Sequence, residues 1–352
     1  MAEISKEEFA QYDRQIRLWG LDAQKRLRAA KVLVIGIGGL GSEIVKNIVL
    51  AGVHTMTLMD HRTVHLEDLS SQLLITPDTV GKNIASASLP RTKELNPNVI
   101  VSAVEHKPEE DIKFLMNFDV VCLTRTNSAE KVLVSNFCHD NAIKFICGDV
   151  FGFYGYGFFD LGKHDFVMDV ESNENGNKSD KGSPNETITV KKTVEFCSYE
   201  HALKEDWKQR SRRDLKLSSP AFFVMLVIDA FVNEYSRLPV HNLDDYKTLL
   251  TLKNNLLSQH GVANVMGKYF NEEFAQSCIS VLNPVAAIVG GVLGQEIIKA
   301  ISQKDPPHNN FFCFDGVNHS GIVDLICPKA KAENKSKSSE NTVTMSFATV
   351  EL

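Results

Sequence analysis

The sequence predicts an α/β protein built on an open, mostly parallel, doubly wound sheet of Rossmann-like type. Two observations predict it. The apolar run Lys31–Ile35 (KVLVI) leads directly into a glycine-rich turn over residues 36–41. A helix follows, then a second apolar strand, Thr55–Met59, that ends at Asp60, which is the order of a βαβ unit. Beyond it, strand patterns over 99–104, 120–123 and 143–147 alternate with helical patterns around 111–116 and 129–139. Strands separated by helices pair in parallel, because a crossover must return the chain to the same end of the sheet.

The remaining elements follow in chain order. Ser5 and Glu8 form an S-x-x-E capping box, so a helix starts there. On it Phe9, Tyr12, Ile16 and Trp19 share one face, and Arg14 and Arg17 share the opposite face. A second short helix over 22–30 leads into the first strand. After Gly148 the run FGFYGYGFFDLG predicts antiparallel strands or a tight hairpin. Residues 171–187 are polar and rich in Gly, Ser and Asn, and a disordered loop is expected over 171–192. Residues 193–280 read as a helical insert, with a buried helix over 221–232. Residues 283–304 form a long apolar helix in which Gly290 and Gly291 imply close helix packing, and FFCFD over 311–315 is a strand. The Lys- and Ser-rich residues 329–352 are expected to be a disordered tail. The expected division is therefore 1–30, N-terminal helices; 31–170, the first part of a nucleotide-binding-like domain; 171–192, loop; 193–280, insert; 281–328, the rest of the domain; and 329–352, tail.

Composition narrows the class. The 352 residues are 43% hydrophobic and 23% charged, which is ordinary globular usage. A net charge of -6 gives no general field for nucleic acid or an anionic membrane, so neither partner is expected. The N-terminal MAEISKEEFAQYD has no apolar run of signal-peptide kind. No two of the seven cysteines are spaced C-x-x-C, which argues against a zinc site and for reduced thiols in the cytosol or nucleus.

The motif at the first turn is Gly36-Ile37-Gly38-Gly39-Leu40-Gly41, a G-x-G-x-x-G. Gly36 allows the tight turn, Gly38 the approach of a phosphate, and Gly41 close helix–strand packing. The helix N-terminus offers free N–H groups to an anion. Asp60, at the end of the second strand, stands where a ribose hydroxyl would be met. Taken alone, the motif fits either a nucleotide site or a glycine turn kept for packing.

The flanking residues are more specific. Tyr12-Asp13-Arg14-Gln15-Ile16-Arg17-Leu18-Trp19-Gly20, Gln72, Gly81, Asn96-Pro97, the run from Asn283 through Gly291, Gln295-Glu296 and the run from Asp305 through Phe311 together closely resemble the ubiquitin-activating family, with its bacterial sulfur-carrier adenylyltransferases of ThiF type. The resemblance covers the first 155 residues and 280–328. It implies a ThiF-type adenylation fold in which ATP and magnesium adenylate the C-terminal glycine of a small modifier protein, which then passes to a cysteine.

The family's working residues are not matched. Its phosphate-binding arginine falls at Ser71 and a neighbouring asparagine at Asp68. Its lysine falls at Ile84, with Lys82 out of register, and its magnesium aspartate at Thr126. Asp119 lies at the start of its strand. No cysteine has the nucleophile's Pro-x-Cys-Thr context, and Cys197, in EFCSYE, reads as a structural thiol. These departures imply the silent half of a heterodimer, with the SUMO-type silent subunits the nearest in wording and length. The resemblance then implies that ATP and Mg2+ are bound by the catalytic partner subunit, and that SUMO is met mostly through that partner. Arg14 matches the arginine that silent halves supply in trans to the partner's ATP, with Arg17 a weaker second candidate that pairs instead with a nearby carboxylate. Gly36, Gly38, Gly41 and Asp60 become vestiges that keep the fold, and no metal site is expected in this chain. Nuclear localisation, with some cytoplasmic, follows from that role, and Lys329, Lys331, Lys335 and Lys337 would suit import. The competing readings are a silent subunit for another modifier, an active homodimeric sulfur-carrier adenylyltransferase, an NAD-dependent oxidoreductase resting on the glycine motif, and a non-enzymatic adaptor.

Overall fold

In the computed structural model, which describes residues 5–171, 187–270 and 273–328, the chain opens with three short helices, α1 (Lys6–Gln11), α2 (Asp13–Trp19) and α3 (Leu21–Ala29). The expected capping box forms: the Glu8 N–H donates to Ser5 Oγ and the Ser5 N–H donates to the Glu8 carboxylate, each at 3.1 Å. The single helix expected from Ser5 is split at Tyr12, which caps the end of α1 and the start of α2. The split breaks the expected common face, so that Tyr12 is buried while Phe9 is exposed.

β1 (Lys31–Ile35) and β2 (Thr55–Met59) form over the expected residues and pair in parallel, Lys31 opposite Thr55. Between them α4 (Gly39–Ala51) begins inside the glycine motif rather than at Ser42. Helix α5 (Ile84–Leu95) was not legible in the sequence, because Pro90 interrupts it. An interior proline costs about 3 kcal/mol. The helix survives through an Asn83 cap, whose Oδ1 accepts the Ser86 N–H at 3.0 Å, and through a buried face of Ile84, Ala85, Ala87, Ser88 and Thr92.

β3 (Ile100–Val104), β4 (Val120–Thr124), α6 (Ser128–Asp140) and β5 (Lys144–Phe151) continue the alternation, with a 3₁₀ helix, Ile112–Asn117, where a helix was expected. The aromatic run then turns back as β6 (Tyr154–Asp160), antiparallel to β5. β7 (Lys163–Glu171) and β8 (Thr187–Glu195) form a separate two-stranded ribbon. The expected loop over 171–192 is corrected at its end, since residues 187–192 belong to β8 and are paired to β7 through a continuous ladder from Lys163↔Glu195 to Glu171↔Thr187. Glu171 likewise belongs to β7, while residues 172–186 of that loop and the tail over 329–352, lysines included, lie outside the described residues.

The helical region follows as α7 (Tyr199–Leu203), α8 (Arg212–Leu217), α9 (Pro220–Tyr235), α10 (Leu243–Gln259), α11 (Ala263–Met266) and α12 (Phe274–Ser277). α13 (Asn283–Ser302), β9 (Phe311–Asp315) and β10 (Ser320–Asp324) close the chain.

The eight-stranded sheet runs β10-β9-β6-β5-β4-β1-β2-β3. From β3 to β5 all pairings are parallel, and from β5 to β10 all are antiparallel. Strand alternation divides the core in two. Val32, Val34, Met56, Leu58, Val120 and Cys122 point to the face covered by α4 and α13. Leu33, Ile35, Val121, Leu123, Phe145 and Phe311 point to the face covered by α9, with Phe222 stacked edge-on against Phe311 at 5.2 Å. The helical region is therefore the sheet's second covering layer, sharing one core with it. Each fully buried side chain of this size contributes roughly 1.5–3 kcal/mol. On the first face, a Cβ at Gly290 would come within 2.7 Å of Glu43 Cβ, the close α13–α4 packing that the glycines implied. Gly291 is corrected: it has no atom within 4 Å of such a Cβ and borders an open cleft of about 250 Å³ with Gln15, Trp19 and Gln295.

Candidate functional site

The glycine turn leaves β1 at the C-terminal edge of the parallel strands, where α/β sheets place their ligand crevices. Gly36 has φ +87°, and a Cβ there would lie 2.0 Å from the Thr124 carbonyl oxygen; at Gly41 it would lie 2.0 Å from the Gly36 carbonyl. Both glycines are thus required by packing alone. The Thr124 hydroxyl donates to the Gly36 carbonyl at 2.6 Å and fixes the turn against β4. Gln72 holds it from the other side: its amide N–H donates to the Ile37 carbonyl at 3.2 Å and to Ser88 Oγ at 2.9 Å.

Asp60 stands at the end of β2 as expected, and is buried with both oxygens engaged. Oδ2 accepts the Ile37 N–H at 2.8 Å, and Arg62 forms a bidentate pair, Nε to Oδ1 at 2.9 Å and Nη2 to Oδ2 at 2.8 Å. Burial pushes this carboxyl up, but the hydrogen bonds and charge of Arg62 outweigh it and hold the group below the usual carboxylate range. A second arginine completes the filling. Arg125 Nη1 pairs with Asp68 Oδ1 at 3.0 Å, and its stem crosses Gly38, where a Cβ would meet Arg125 Cδ at 3.0 Å. The Arg125 carbonyl accepts from Arg62 Nη1 at 3.0 Å, so the two arginines brace each other.

This arrangement is anchored from below. Arg125 has φ +56°, a left-handed conformation that costs about 1–3 kcal/mol in a residue with a side chain. Its N–H donates to Asp149 Oδ1 at 2.6 Å, and Asp149 Oδ2 is paired at 3.0 Å with the fully buried Lys131, whose Nζ also lies 3.5 Å from Asp229 on α9. The chain Asp229–Lys131–Asp149–Arg125–Asp68 thus ties the helical layer to the glycine turn.

The space left at the turn is a cavity of about 20 Å³ lined by Gly36, Asp60, Arg62, Arg125, Thr126 and Glu130. That is room for about one water molecule. The residues present therefore do not fit ATP: the ribose carboxylate is already paired, and an arginine stem lies where a phosphate would approach. The residues singled out against the family pattern are placed as follows. Ile84 is buried in a small core with Val64, Ile75 and Ala87. Thr126 Oγ1 is buried without a partner, Lys82 is exposed, and Asp119 accepts the Lys31 N–H at 2.8 Å, bracing β1. Glu130, on the cavity wall, is pushed up to about 7 by burial and the charge of Glu109. Sequence reasoning missed Arg62 and Arg125, whose only signal is a cation shortly past the end of a strand, three residues after β2 and one after β4. Cys197 is half-buried, with the Asn310 amide N–H at 3.2 Å from its sulfur, and burial raises its thiol pKa, as befits a structural thiol.

Arg14 lies elsewhere. It is exposed on α2 and makes no hydrogen bond or ion pair among the described residues. Its neighbours on α2 attach to the C-terminal end of α4: Tyr12 packs at Gly52, and Gln15 Nε2 donates to the Leu50 carbonyl at 3.4 Å. The glycine turn is at the other end of that helix, 13 residues away, or about 20 Å at 1.5 Å per residue. The structure therefore does not bring Arg14 together with Gly36, Gly38, Gly41 and Asp60. Arg17 is paired with Asp13, Nη2 to Oδ2 at 3.0 Å.

Comparison with known proteins agrees with this fold. The ThiF family profile matches residues 12–339. SUMO-activating enzyme subunit 1 of Rattus norvegicus is 45% identical over 343 residues, covering 93% of this chain and 96% of the relative. The Homo sapiens protein of the same name is 45% identical over 342 residues, covering 93% and 97%. Among solved structures, Escherichia coli MccB with succinimide matches with a TM-score of 0.56 at 13% identity, over 90% of this chain and 72% of that one. PaaA matches with a TM-score of 0.56 at 17% identity, over 94% and 77%. The structures share the fold, the profile spans nearly the whole chain, and the relatives align end to end: this chain belongs to the ThiF family, among the relatives of SUMO-activating enzyme subunit 1.

Proposed function

We propose that this chain is the regulatory, catalytically incomplete subunit of a heterodimeric SUMO-activating enzyme, and that it supplies Arg14 in trans to ATP held by the catalytic subunit. One observation carries the reading. The chain's own cleft is filled by Arg62 and Arg125, each paired to a carboxylate, while Arg14 is left exposed and unpaired among the described residues at the far end of α4. A cation in that place serves a site outside this chain. The names of the relatives, "subunit 1" of a SUMO-activating enzyme, support a second subunit and SUMO as the modifier.

In this reading the partner binds ATP and Mg2+ and carries the nucleophilic cysteine. The C-terminal carboxylate of SUMO attacks the α-phosphate, an acyl-adenylate forms and pyrophosphate leaves. Negative charge gathers on the phosphates as the bond to pyrophosphate breaks. A guanidinium with several fixed donors offsets it better than water does, because its orientation is set beforehand. Gly36, Gly38, Gly41 and Asp60 keep the fold and bind no nucleotide. Arg17, held by Asp13, is the weaker second candidate. The nucleus, with some cytoplasm, is the expected location, since that is where SUMO conjugation largely takes place.

The test is ATP–pyrophosphate exchange with SUMO, first by this chain alone and then with a catalytic SUMO-activating subunit. Silence alone and exchange together are expected. Exchange by the isolated chain would sink the proposal. Exchange with a different ubiquitin-like modifier and its own catalytic subunit, but not with SUMO, would reassign it.

A further inference from the structure

The residues that hold the N-terminal arm single out Tyr12. Between Ser5 and Gly20 it is the one buried residue. It is also where the chain turns from α1 into α2, two residues before Arg14. Its ring lies in a slot against Gly52, the left-handed residue (φ +83°) that ends α4, and a Cβ there would come within 2.5 Å of the ring. Only glycine allows both that conformation and that approach.

The far end of the ring is fixed by Asn96. This buried amide donates from Nδ2 to the Tyr12 hydroxyl at 2.8 Å and to the Val49 carbonyl, in the last turn of α4, at 2.9 Å. Its Oδ1 accepts from the Asn98 N–H at 3.2 Å and from Gln11 Nε2 at 3.4 Å. One side chain therefore ties the junction of the arm to the rigid end of α4. The other polar ties of α2 itself are an exposed i,i+4 ion pair between Arg17 and Asp13, a long Gln15–Leu50 bond, and Trp19 Nε1 donating to Gln24 Oε1 at 3.1 Å. None of these fixes the point from which α2 departs.

We propose that Tyr12, clamped by Asn96 and seated on Gly52, is a positioning residue for Arg14. It sets the direction in which α2 leaves the domain, and so the place at which the guanidinium meets the partner's nucleotide. This rests on the reading of Arg14 given above. A guanidinium works in a charged site only when held within a fraction of an ångström of its place. The Tyr12 hydroxyl contributes through that placement and touches no substrate.

The heterodimer of this chain with a catalytic SUMO-activating subunit tests it, by ATP–pyrophosphate exchange at varied ATP with wild type, Tyr12→Phe, Arg14→Ala and the double variant. Tyr12→Phe keeps the ring and should lower kcat/KM for ATP by about 3- to 10-fold, the factor that one net hydrogen bond corresponds to. The two subunits should still co-elute. In the Arg14→Ala background the same change should have no further effect, because the residue it positions is gone. A merely structural role would cost the same in both backgrounds, and that result would overturn the inference. Wild-type kinetics for Tyr12→Phe would overturn it too. Asn96→Ala, which removes the clamp and leaves the ring, is the second variant and should show the same dependence on Arg14. If Arg14→Ala itself leaves exchange unchanged, the reading of Arg14 falls first, and this one with it.

Discussion

The two ends of α4 carry opposite uses of the same residue. At its N-terminus Arg62 and Arg125 are folded inward, each bound to a carboxylate of this chain, and the nucleotide crevice is reduced to space for about one water. At its C-terminus Arg14 stands on a short helix with no partner among the described residues. The difference teaches that arginines of one fold can be spent inside it or left outside it. Here the crevice holds internal ligands, so that its glycines are necessary for packing while its electrostatics are satisfied from within. A cation that is already paired is unavailable to a phosphate. Of the three, Arg14 alone is exposed and makes no ion pair or hydrogen bond among the described residues.

The largest effect is expected where the closed end is anchored. Lys131→Met strands Asp149 and Asp229 as buried carboxylates and should cost about 3–5 kcal/mol, read as the urea midpoint of the isolated chain. A loss under about 1 kcal/mol would mean that water reaches the cluster and the anchor is not closed. Next comes the open end. Arg14→Ala should lower exchange by the heterodimer on the order of 100-fold while shifting the isolated chain's stability by less than about 0.5 kcal/mol. Arg17→Ala should lower exchange by less than about 3-fold, since its charge is already taken by Asp13. Equal losses for the two would erase the distinction between a free and a paired cation.

Arg62→Ala is expected to cost about 2 kcal/mol at neutral pH, because it leaves Asp60 buried and charged. The sign with pH follows from the depressed Asp60 carboxyl. In the wild type its contribution is present above the ordinary carboxylate range, near pH 4, and is lost as pH falls through the lower folded value. In the variant the backbone N–H groups of residues 37 and 62 still donate to the carboxyl, but without the guanidinium burial weighs more heavily and the carboxyl moves up. The difference between the two proteins should therefore be largest at pH 7 and narrow below about pH 4. A smaller stability effect than that of Arg62→Ala is expected at the cavity wall. Burial and the charge of Glu109 push the Glu130 carboxyl up from its ordinary value near 4.5 to about 7, so the folded state holds the extra proton between those values and stability falls as pH rises across them. Glu130→Gln should raise stability by about 1 kcal/mol at pH 8, after allowance for its partial exposure, and change little at pH 5. An unchanged melting temperature at pH 8 would mean that the wall is open to solvent.

Much of this was legible from local pattern. β1, β2 and β9 form over the expected residues, because an apolar run bounded by glycine or a polar residue has few alternatives in a sheet buried on both faces. The glycine turn, Asp60 at the strand end, the buried helix α9 and a nearby carboxylate partner for Arg17, which proves to be Asp13, were equally plain. What failed was decided at a distance. α5 forms despite Pro90 because its buried face and its cap outweigh propensity. β8 emerges from a polar stretch because its ladder with β7 satisfies its backbone. The helical region read as an insert is the second covering of the sheet, a fact carried by contacts such as Phe222 with Phe311.

By itself, the sequence determined the alternating strands and helices around β1 and β2, the glycine turn, and which residue types stand at Ser71, Ile84 and Thr126. These are statements about residue type and spacing, and both are local. Only the tertiary structure decided that Arg62 meets Asp60, that Arg125 crosses Gly38 to reach Asp68, and that Tyr12 rests on Gly52 under Asn96. A charge is free or spent according to what stands within about 4 Å of it. For Arg125 the carboxylate lies 57 residues away in the chain, and for Tyr12 the amide lies 84 away. No spacing rule reaches that far; the sheet and α4 bring them together.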